Sequence, residues 1–478
     1  MTNARQLVWF RSDLRTLDHP ALYQARQQGE VLAAFVITPA QWQQHGWGAL
    51  KTAFVLHNLA ALQQQLQTLN IPLKILQLQT FAETPAALLQ LAQQHQVSNL
   101  LFNDEYEWNE QQRDQQVEQV FLSSGIAVQR FTDQLLLPPG SLLTGKGEAY
   151  SVFTPFWRRW LQALPTAKLH PLPEPQPQHP GQLTTDPLPV LPQHPALHLW
   201  PAGQAAALQR LQDFSGQRLM AYQQQRDFPA LDGTSSLSPW LAVGALSVRQ
   251  CLAAALHVSH GQISDKNTGP GCWVSELVWR EFYRNLLLAF PRLSRGRTFK
   301  PETERLPWRS LNNSKVQRDL QAWQSGQTGF PLVDAAMRQL LATGWMHNRL
   351  RMLTAMFLSK HLLIDWRVGE AFFMQHLVDG DLASNNGGWQ WAASTGTDAV
   401  PYFRLFNPYS QSQKFDPQGD FIRNWLPELA HLDHKAIHQP PVDKMDLFGS
   451  SNYPQPIVDL KMARDRVMAA FESLRSSP

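Results

Sequence analysis

The sequence predicts an α/β N-terminal domain with a parallel, doubly wound sheet, followed by an all-α C-terminal domain. Three observations lead there: five short apolar runs separated by helical segments, a proline-dense stretch after them, and long helical periodicity beyond it. The expected boundaries are 1–132 for the α/β domain, 133–202 for an interdomain linker and 203–478 for the helical domain. At 478 residues the chain exceeds what one hydrophobic core usually serves.

The apolar runs lie at 6–10, 31–37, 72–78, 98–103 and 127–131, and the segments between them, such as 50–69 and 84–95, carry a 3.6-residue period. Short buried strands alternating with helices make a parallel sheet, whose ligands usually sit at the carboxyl ends of the strands. No G-x-G-x-x-G follows the first run, so the usual dinucleotide fingerprint is absent. The acidic run D-E-Y-E-W-N-E at 104–110 reads most plainly as a solvated first turn of a helix, favoured by the helix dipole. From Pro165 to Pro201 there are 11 prolines in 37 residues, a density no helix or central strand survives, so this is a linker on the surface. Helical periodicity then marks 204–226, 273–290, 331–342, 344–363 and 455–474.

Composition narrows the function. A net charge of +3 does not by itself argue for nucleic acid, so any such partner must be held by a local patch. Cys251 and Cys272 make neither a disulfide framework nor a metal site, and no metal is expected. No signal peptide or membrane-length apolar run is visible, which leads to a cytoplasmic protein without a membrane partner. The 17 tryptophans, concentrated in the C-terminal half, offer stacking surfaces for planar ligands and bases.

Four constellations carry chemistry. In Y-Q-Q-Q-R-D-F-P-A-L-D-G-T-S-S-L-S (222–238), Thr234, Ser235, Ser236 and Ser238 precede a helical segment and supply more hydroxyls than one cap needs, as at a phosphate site. In W-V-S-E-L-V-W-R-E-F-Y-R (273–284), Trp273, Glu276 and Arg280 share a helical face with Trp279 beside it, and Arg292, Arg295, Arg297 and Lys300 follow as a basic patch. In G-W-M-H-N-R-L-R-M (344–352), Asn348 and Met352 share a face flanked by Arg349 and Arg351, and His347 reads as structural. In D-G-D-L-A-S-N-N-G-G-W-Q-W (379–391), a helix would align Asp381, Asn385 and Trp389, while the plain alternative is a capping Asp, a Gly-Gly turn and two core tryptophans. For Trp308, Trp366 and Trp389 spacing alone shows no relation, and core packing is the expectation.

These motifs, together with W-F-R-S-D-L-R (9–15) and the continuation A-A-S-T-G-T-D to residue 398, occur in an order that closely resembles the photolyase/cryptochrome family, and within it the class I bacterial cyclobutane pyrimidine dimer photolyases. The resemblance spans essentially the whole chain. It implies an FAD-binding helical domain, with FAD active as the reduced anion FADH−, and light-driven electron transfer to a flipped-out dimer. It places Tyr222, Thr234, Ser235, Ser236, Leu237, Ser238, Trp273, Glu276, Arg280, Asn348, Arg351, Asp379, Gly380, Asp381 and Asn385 around FAD, with Asp379 pairing Arg351 and Asn385 facing flavin N5. Glu276 and Asn385 would be catalytic. Arg226, Glu276, Trp279, Asn348, Arg349, Met352 and Trp391 would meet DNA and lesion, the two arginines through phosphates. Trp389, Trp366 and Trp308 would pass electrons to oxidised flavin. Asn109 and Glu110 would hold a 5,10-methenyltetrahydrofolate antenna, although Ser294 and Arg295 stand where a Cys-Lys pair is expected. The implied partner is dimer-containing DNA in the nucleoid, with a monomeric protein and no obligate protein partner.

Three other functions fit the sequence less well. A cryptochrome often carries a C-terminal extension or an acidic or thiol residue at the N5 position, whereas this chain has Asn385. A (6-4) photolyase uses a histidine pair where Asn348 and Met352 stand. A dark flavin oxidoreductase would need a second-substrate site, for which no fingerprint appears.

Overall fold

Five strands form one all-parallel sheet in the order β3-β2-β1-β4-β5, where β1 is Arg5–Phe10, β2 Val31–Ile37, β3 Leu73–Gln77, β4 Val97–Asn103 and β5 Ala127–Phe131. The structure is a computed structural model that describes residues 5–164, 170–263, 265–441 and 453–476, so the start of the proline-rich stretch at 165–169 lies outside the described residues. All five predicted runs are strands. They were readable because helices cover both faces of a parallel sheet, so its strands are apolar throughout rather than alternating. In β1, Leu7, Val8, Trp9 and Phe10 are all buried. The chain reverses its direction of travel across the sheet between β1 and β4, the point where such sheets leave a crevice at the strands' carboxyl ends.

The chain divides into two compact units: Met1–Gln223 with Ser235–Ser294 and Val378–Ala383, and Gln224–Thr234 with Arg295–Leu377 and Ser384–Pro478. This division differs from the expected boundaries, and the reason is a buried ion network. Arg15 pairs with Asp133 at 2.5 Å, and Arg249 pairs with Asp133 at 2.6 Å and with Asp18 at 3.0 Å. Arg249 lies on helix Val248–Val258, so the R-S-D-L-R segment after β1 draws helices beyond residue 235 into the first unit. The two arginines hold the Asp133 carboxyl far below the usual carboxylate range, against its burial.

The proline-dense stretch falls within the first unit, where its described residues bond the sheet. Gln178 exchanges hydrogen bonds with both backbone groups of Val31, and Asp186 accepts from the Ile75 N–H and donates its own N–H to the Leu73 carbonyl. Asp186 thus covers the start of the free edge of β3, a place where an uncovered strand would invite pairing with another chain.

The second unit is helical. Its core gathers Trp323, Met337, Met356, Phe357, Trp366 and Trp389 among helices Pro331–Thr343, Asn348–Met356, Trp366–His376 and Leu382–Ala393. The predicted helix 344–363 begins later, at Asn348, and continues as one π-helical turn at Phe357–His361. His347 caps it, its Nδ1 accepting from the Arg349 N–H at 3.2 Å, and burial lowers its pKa to about 4 so that it stays neutral. Among the described residues no helix is long and apolar enough to cross a membrane.

Candidate functional site

The parts of the 222–238 segment that belong to the first unit, Tyr222 and Ser235–Ser238, are built around aromatic support and a strained turn. Tyr222 is buried against Phe214 at 5.8 Å, and Phe214 packs against Trp273 at 5.1 Å. Arg210 donates to the Ser235 carbonyl at 2.9 Å, Ser236 takes the left-handed conformation (φ +50°), and buried Leu237 leads into helix Ser238–Ala242. A serine in that conformation costs on the order of 1–3 kcal/mol, a cost found where a backbone must present its groups in one direction. Hydroxyls crowded at such a turn make a donor set that fits a pyrophosphate.

Helix Gly269–Ala289 presents Trp273, Glu276 and Arg280 on one face, as their spacing predicted. Arg280 donates to the carbonyls of Gln134 at 2.6 Å and Leu241 at 3.2 Å. Burial, aided by the neighbouring Arg284, lowers its pKa to about 10, so it remains a cation. One turn on, Arg284 bonds Gln134 Oε1 at 3.0 Å and ion-pairs with Asp381. Arg284 was missed, although the four-residue step from Glu276 through Arg280 to Arg284 was there to be followed. Lys51, also missed, donates to the Gly380 carbonyl at 2.5 Å. Asp379 is buried and Asp381 half-buried. Two buried cations beside this turn suit an anionic ring system.

Trp279 is half-buried, and one face of its indole is covered. Phe153 stacks on it with ring centres 3.7 Å apart and planes 8° from parallel. One indole face is therefore committed to the protein.

At the carboxyl ends of β1, β2 and β4 lies a cavity of about 70 Å³ lined by Trp9, Arg11, Trp42, Trp47, Lys51 and Glu110, among others. Beside it His45 contacts Asn109 Nδ2 at 3.0 Å and Glu110 Oε1 at 3.4 Å. The acidic run is not the solvated first turn expected. Glu105 is buried and paired with Arg113 at 2.6 Å, and burial with the neighbouring Glu107 and Glu105 raises the Glu110 pKa to about 8. Arg113, one helical turn beyond Glu110, turns a surface pattern into a buried cluster.

The run after Asp381 is helix Leu382–Ala393, which belongs to the second unit from Ser384 on, and Gly387 and Gly388 lie inside it rather than in a turn. The Asn385 amide nitrogen donates to the Glu370 backbone carbonyl at 2.9 Å. Its oxygen, Oδ1, is thereby oriented as an acceptor. Asn386 donates to the Glu370 carboxyl at 2.8 Å and accepts from Gln390 at 2.8 Å. Burial raises the Glu370 pKa to about 7. Glu370 too was missed, since nothing in the sequence ties it to a helix 16 residues on.

Trp366 and Trp389 lie in one core cluster, with Trp308 packed against it. Trp389 meets Phe373 edge-on at 5.0 Å. Gly369 admits it: a Cβ there would lie 2.1 Å from Trp389 Cη2. The indole N–H groups of Trp308, Trp366 and Trp389 are buried with no hydrogen-bond partner among the described residues, whereas Trp323 in the same core donates to the Thr354 carbonyl at 3.1 Å. Trp391 is half-buried against this core. On helix Asn348–Met356, Asn348 is exposed and Met352 half-buried on its expected face. Arg351 Nε donates to the Met346 carbonyl at 2.8 Å. Arg349 pairs with Asp227 at 2.6 Å, and Arg226 lies 3.9 Å from the same carboxylate. The two expected phosphate ligands thus share one partly exposed counter-ion.

A family model described as DNA photolyase matches residues 6–178, and one described as the FAD binding domain of DNA photolyase matches residues 273–473. The chain is 46% identical to the deoxyribodipyrimidine photo-lyase of Salmonella typhimurium, over 98% of both chains. It is 45% identical to that of Vibrio cholerae, over 98% of this chain and 100% of the relative. Among solved structures, a bacterial class III photolyase from Agrobacterium tumefaciens superposes with a TM-score of 0.88 at 35% identity, over 100% of this chain and 99% of the other. A cryptochrome from Synechocystis superposes with a TM-score of 0.83 at 30% identity, over 98% and 100%.

Proposed function

The chain belongs to the DNA photolyase family, and from that premise we propose how its own residues serve the light-driven repair of cyclobutane pyrimidine dimers that makes it a deoxyribodipyrimidine photo-lyase. The cofactor is FAD. When bound, reduced FAD supplies on illumination the electron that splits the cyclobutane ring, and receives it back. The observation that best supports the assignment of parts is the Asn385 amide. With one Nδ2–H given to the Glu370 carbonyl, Oδ1 is held as an acceptor for a ring N–H, which suits the reduced flavin and adds no negative charge beside it.

The remaining parts follow from chemistry. Thr234, Ser235, Ser236, Leu237 and Ser238 hold the pyrophosphate through hydroxyls and backbone, over the aromatic support of Tyr222 and Trp273. Asp379, Gly380 and Asp381 orient the flavin and ribityl groups, with Arg280 and Arg351 offsetting the anion. Trp279 and Trp391 stack against the flipped dimer, whose extrusion costs a few kcal/mol and less for a lesion that already pairs poorly. Glu276 hydrogen-bonds the dimer and can lend it a proton, Asn348 and Met352 complete the pocket, and Arg226 and Arg349 take phosphates. Binding should accordingly follow lesion shape and fall with salt.

Trp308, Trp366 and Trp389 carry electrons inward to oxidised flavin. The indole N–H of each is buried with no hydrogen-bond acceptor among the described residues, and Trp308, the last of the three, takes its electron from an external reductant. Asn109 and Glu110 would hold a methenyltetrahydrofolate antenna, through an amide and a carboxyl whose pKa burial raises. The protein acts as a cytoplasmic monomer on nucleoid DNA. The test is to incubate the reduced protein with dimer-containing DNA and count dimers after light and after darkness; equal counts would remove the repair function and leave the cryptochrome reading.

A further inference from the structure

Lys51 is in an unfavourable place. It occupies the first turn of helix Ala49–Thr68, where the free N–H groups repel a cation, and it is only 7% exposed. It does not cap that helix, whose N-cap is Gly48. Burial lowers its pKa to about 8, opposed by the charges of Asp381, Glu107, Glu110 and Asp379, and His45 nearby is neutral. A residue that breaks local rules this way is usually kept for what it holds.

What it holds is the turn between the two aspartates. Its ammonium donates to the Gly380 carbonyl at 2.5 Å and lies 4.0 Å from the centre of the Trp47 ring, which itself stacks on Trp42 at 5.1 Å. The ring fixes the ammonium from one side, so its N–H directions are not free to wander. Across the same turn Arg284, held by Gln134, grips the Asp381 carboxylate. The turn is thus fixed at a carbonyl and at a carboxylate by two buried cations from elements remote in sequence.

We propose that Lys51 is a positioning residue for FAD: by fixing the Gly380 carbonyl it sets the directions of Asp379 and Asp381 before the cofactor arrives. The proposal rests on the assignment of those aspartates to FAD. Lys51 touches no reacting atom. It acts through the turn.

The test compares Lys51→Met, which removes the donor, with Lys51→Gln, which keeps a neutral one, using Asp381→Asn as the control for the assignment. The readouts are the rate of FAD release from the holoprotein, the vibrational structure of the flavin absorption band, and the melting temperature of the apoprotein. Loss of a hydrogen bond from a charged donor should speed FAD release in Lys51→Met about tenfold and blur the band. Lys51→Gln should recover most of both. The Lys51→Met apoprotein should fold and melt somewhat below wild type, because the buried Gly380 carbonyl loses its donor. If Asp381→Asn releases FAD faster but both Lys51 variants match wild type, the proposal falls while the assignment stands. If Asp381→Asn changes nothing, the assignment falls. Equal impairment in both Lys51 variants would overturn positioning through the hydrogen bond.

Discussion

Replacing Gly369 by alanine is a one-carbon change aimed at the tryptophan nearest Asn385 in the helix. The added Cβ would stand 2.1 Å from Trp389 Cη2, 2.4 Å from Cζ3 and 2.6 Å from Leu358 Cδ2. Carbon atoms rest at about 3.5–4.0 Å, so the indole must retreat by roughly 1 Å or more, and Leu358, on the other side of a close-packed core, gives it little room. Overpacking of this kind costs about 1–3 kcal/mol, and the better helix propensity of alanine returns up to about 1 kcal/mol. The protein should therefore fold, destabilised by about 0–2 kcal/mol, with a displaced Trp389. The assay is blue-light reduction of oxidised flavin in the presence of an external reductant, followed by absorbance, beside dimer repair by enzyme reduced chemically beforehand. Photoreduction should slow markedly while repair by the pre-reduced enzyme stays near wild type. Unchanged photoreduction would show that Trp389 has slack the packing does not reveal, or that it is not on the path.

Phe153→Leu should leave FAD content intact but reduce the preference for damaged over undamaged DNA, measured by competition binding, because Trp279 loses the ring that fixes its plane at 3.7 Å; the same change in a Trp279→Ala background should do nothing more. The stability of the protein should fall as pH rises toward 7 on account of Glu370. Its folded pKa, near 7, lies above the ordinary 4.5, so its contribution is full below about 4.5 and lost as pH passes through about 7. Urea melts of Glu370→Gln should lack that component, and an unchanged profile would place the titration elsewhere. Trp391→Ala should weaken binding to dimer-containing DNA by about 1–3 kcal/mol, the usual worth of an aromatic stack on a base, with a smaller effect on intact duplex.

The strands were legible because burial on both faces makes them apolar throughout, and the helix bearing Glu276 and Arg280 because its period is regular. The buried state of the acidic run was not, since Glu105 needs Arg113 and Arg11 folded over it and a first turn rich in carboxylates looks the same when solvated. The glycines at 387 and 388 signal a turn by composition, yet the helix runs through them, which tertiary packing can impose against a propensity cost of about 1 kcal/mol each. Lys51 and Glu370 could not be read at all. The partner of Lys51 is a backbone carbonyl, which carries no side-chain signature, 329 residues away, and Glu370 meets Asn385 partly through its own backbone carbonyl.

The most direct measurement counts dimers left after blue light for wild type and Trp308→Phe, each started with oxidised and with chemically reduced flavin and with an external reductant present. The account predicts repair in three of the four samples and none in oxidised Trp308→Phe, because that variant can use light for repair but not to reduce its own cofactor. Failure of the reduced variant to repair, or success of the oxidised one, would contradict the separation of the tryptophan path from the repair site.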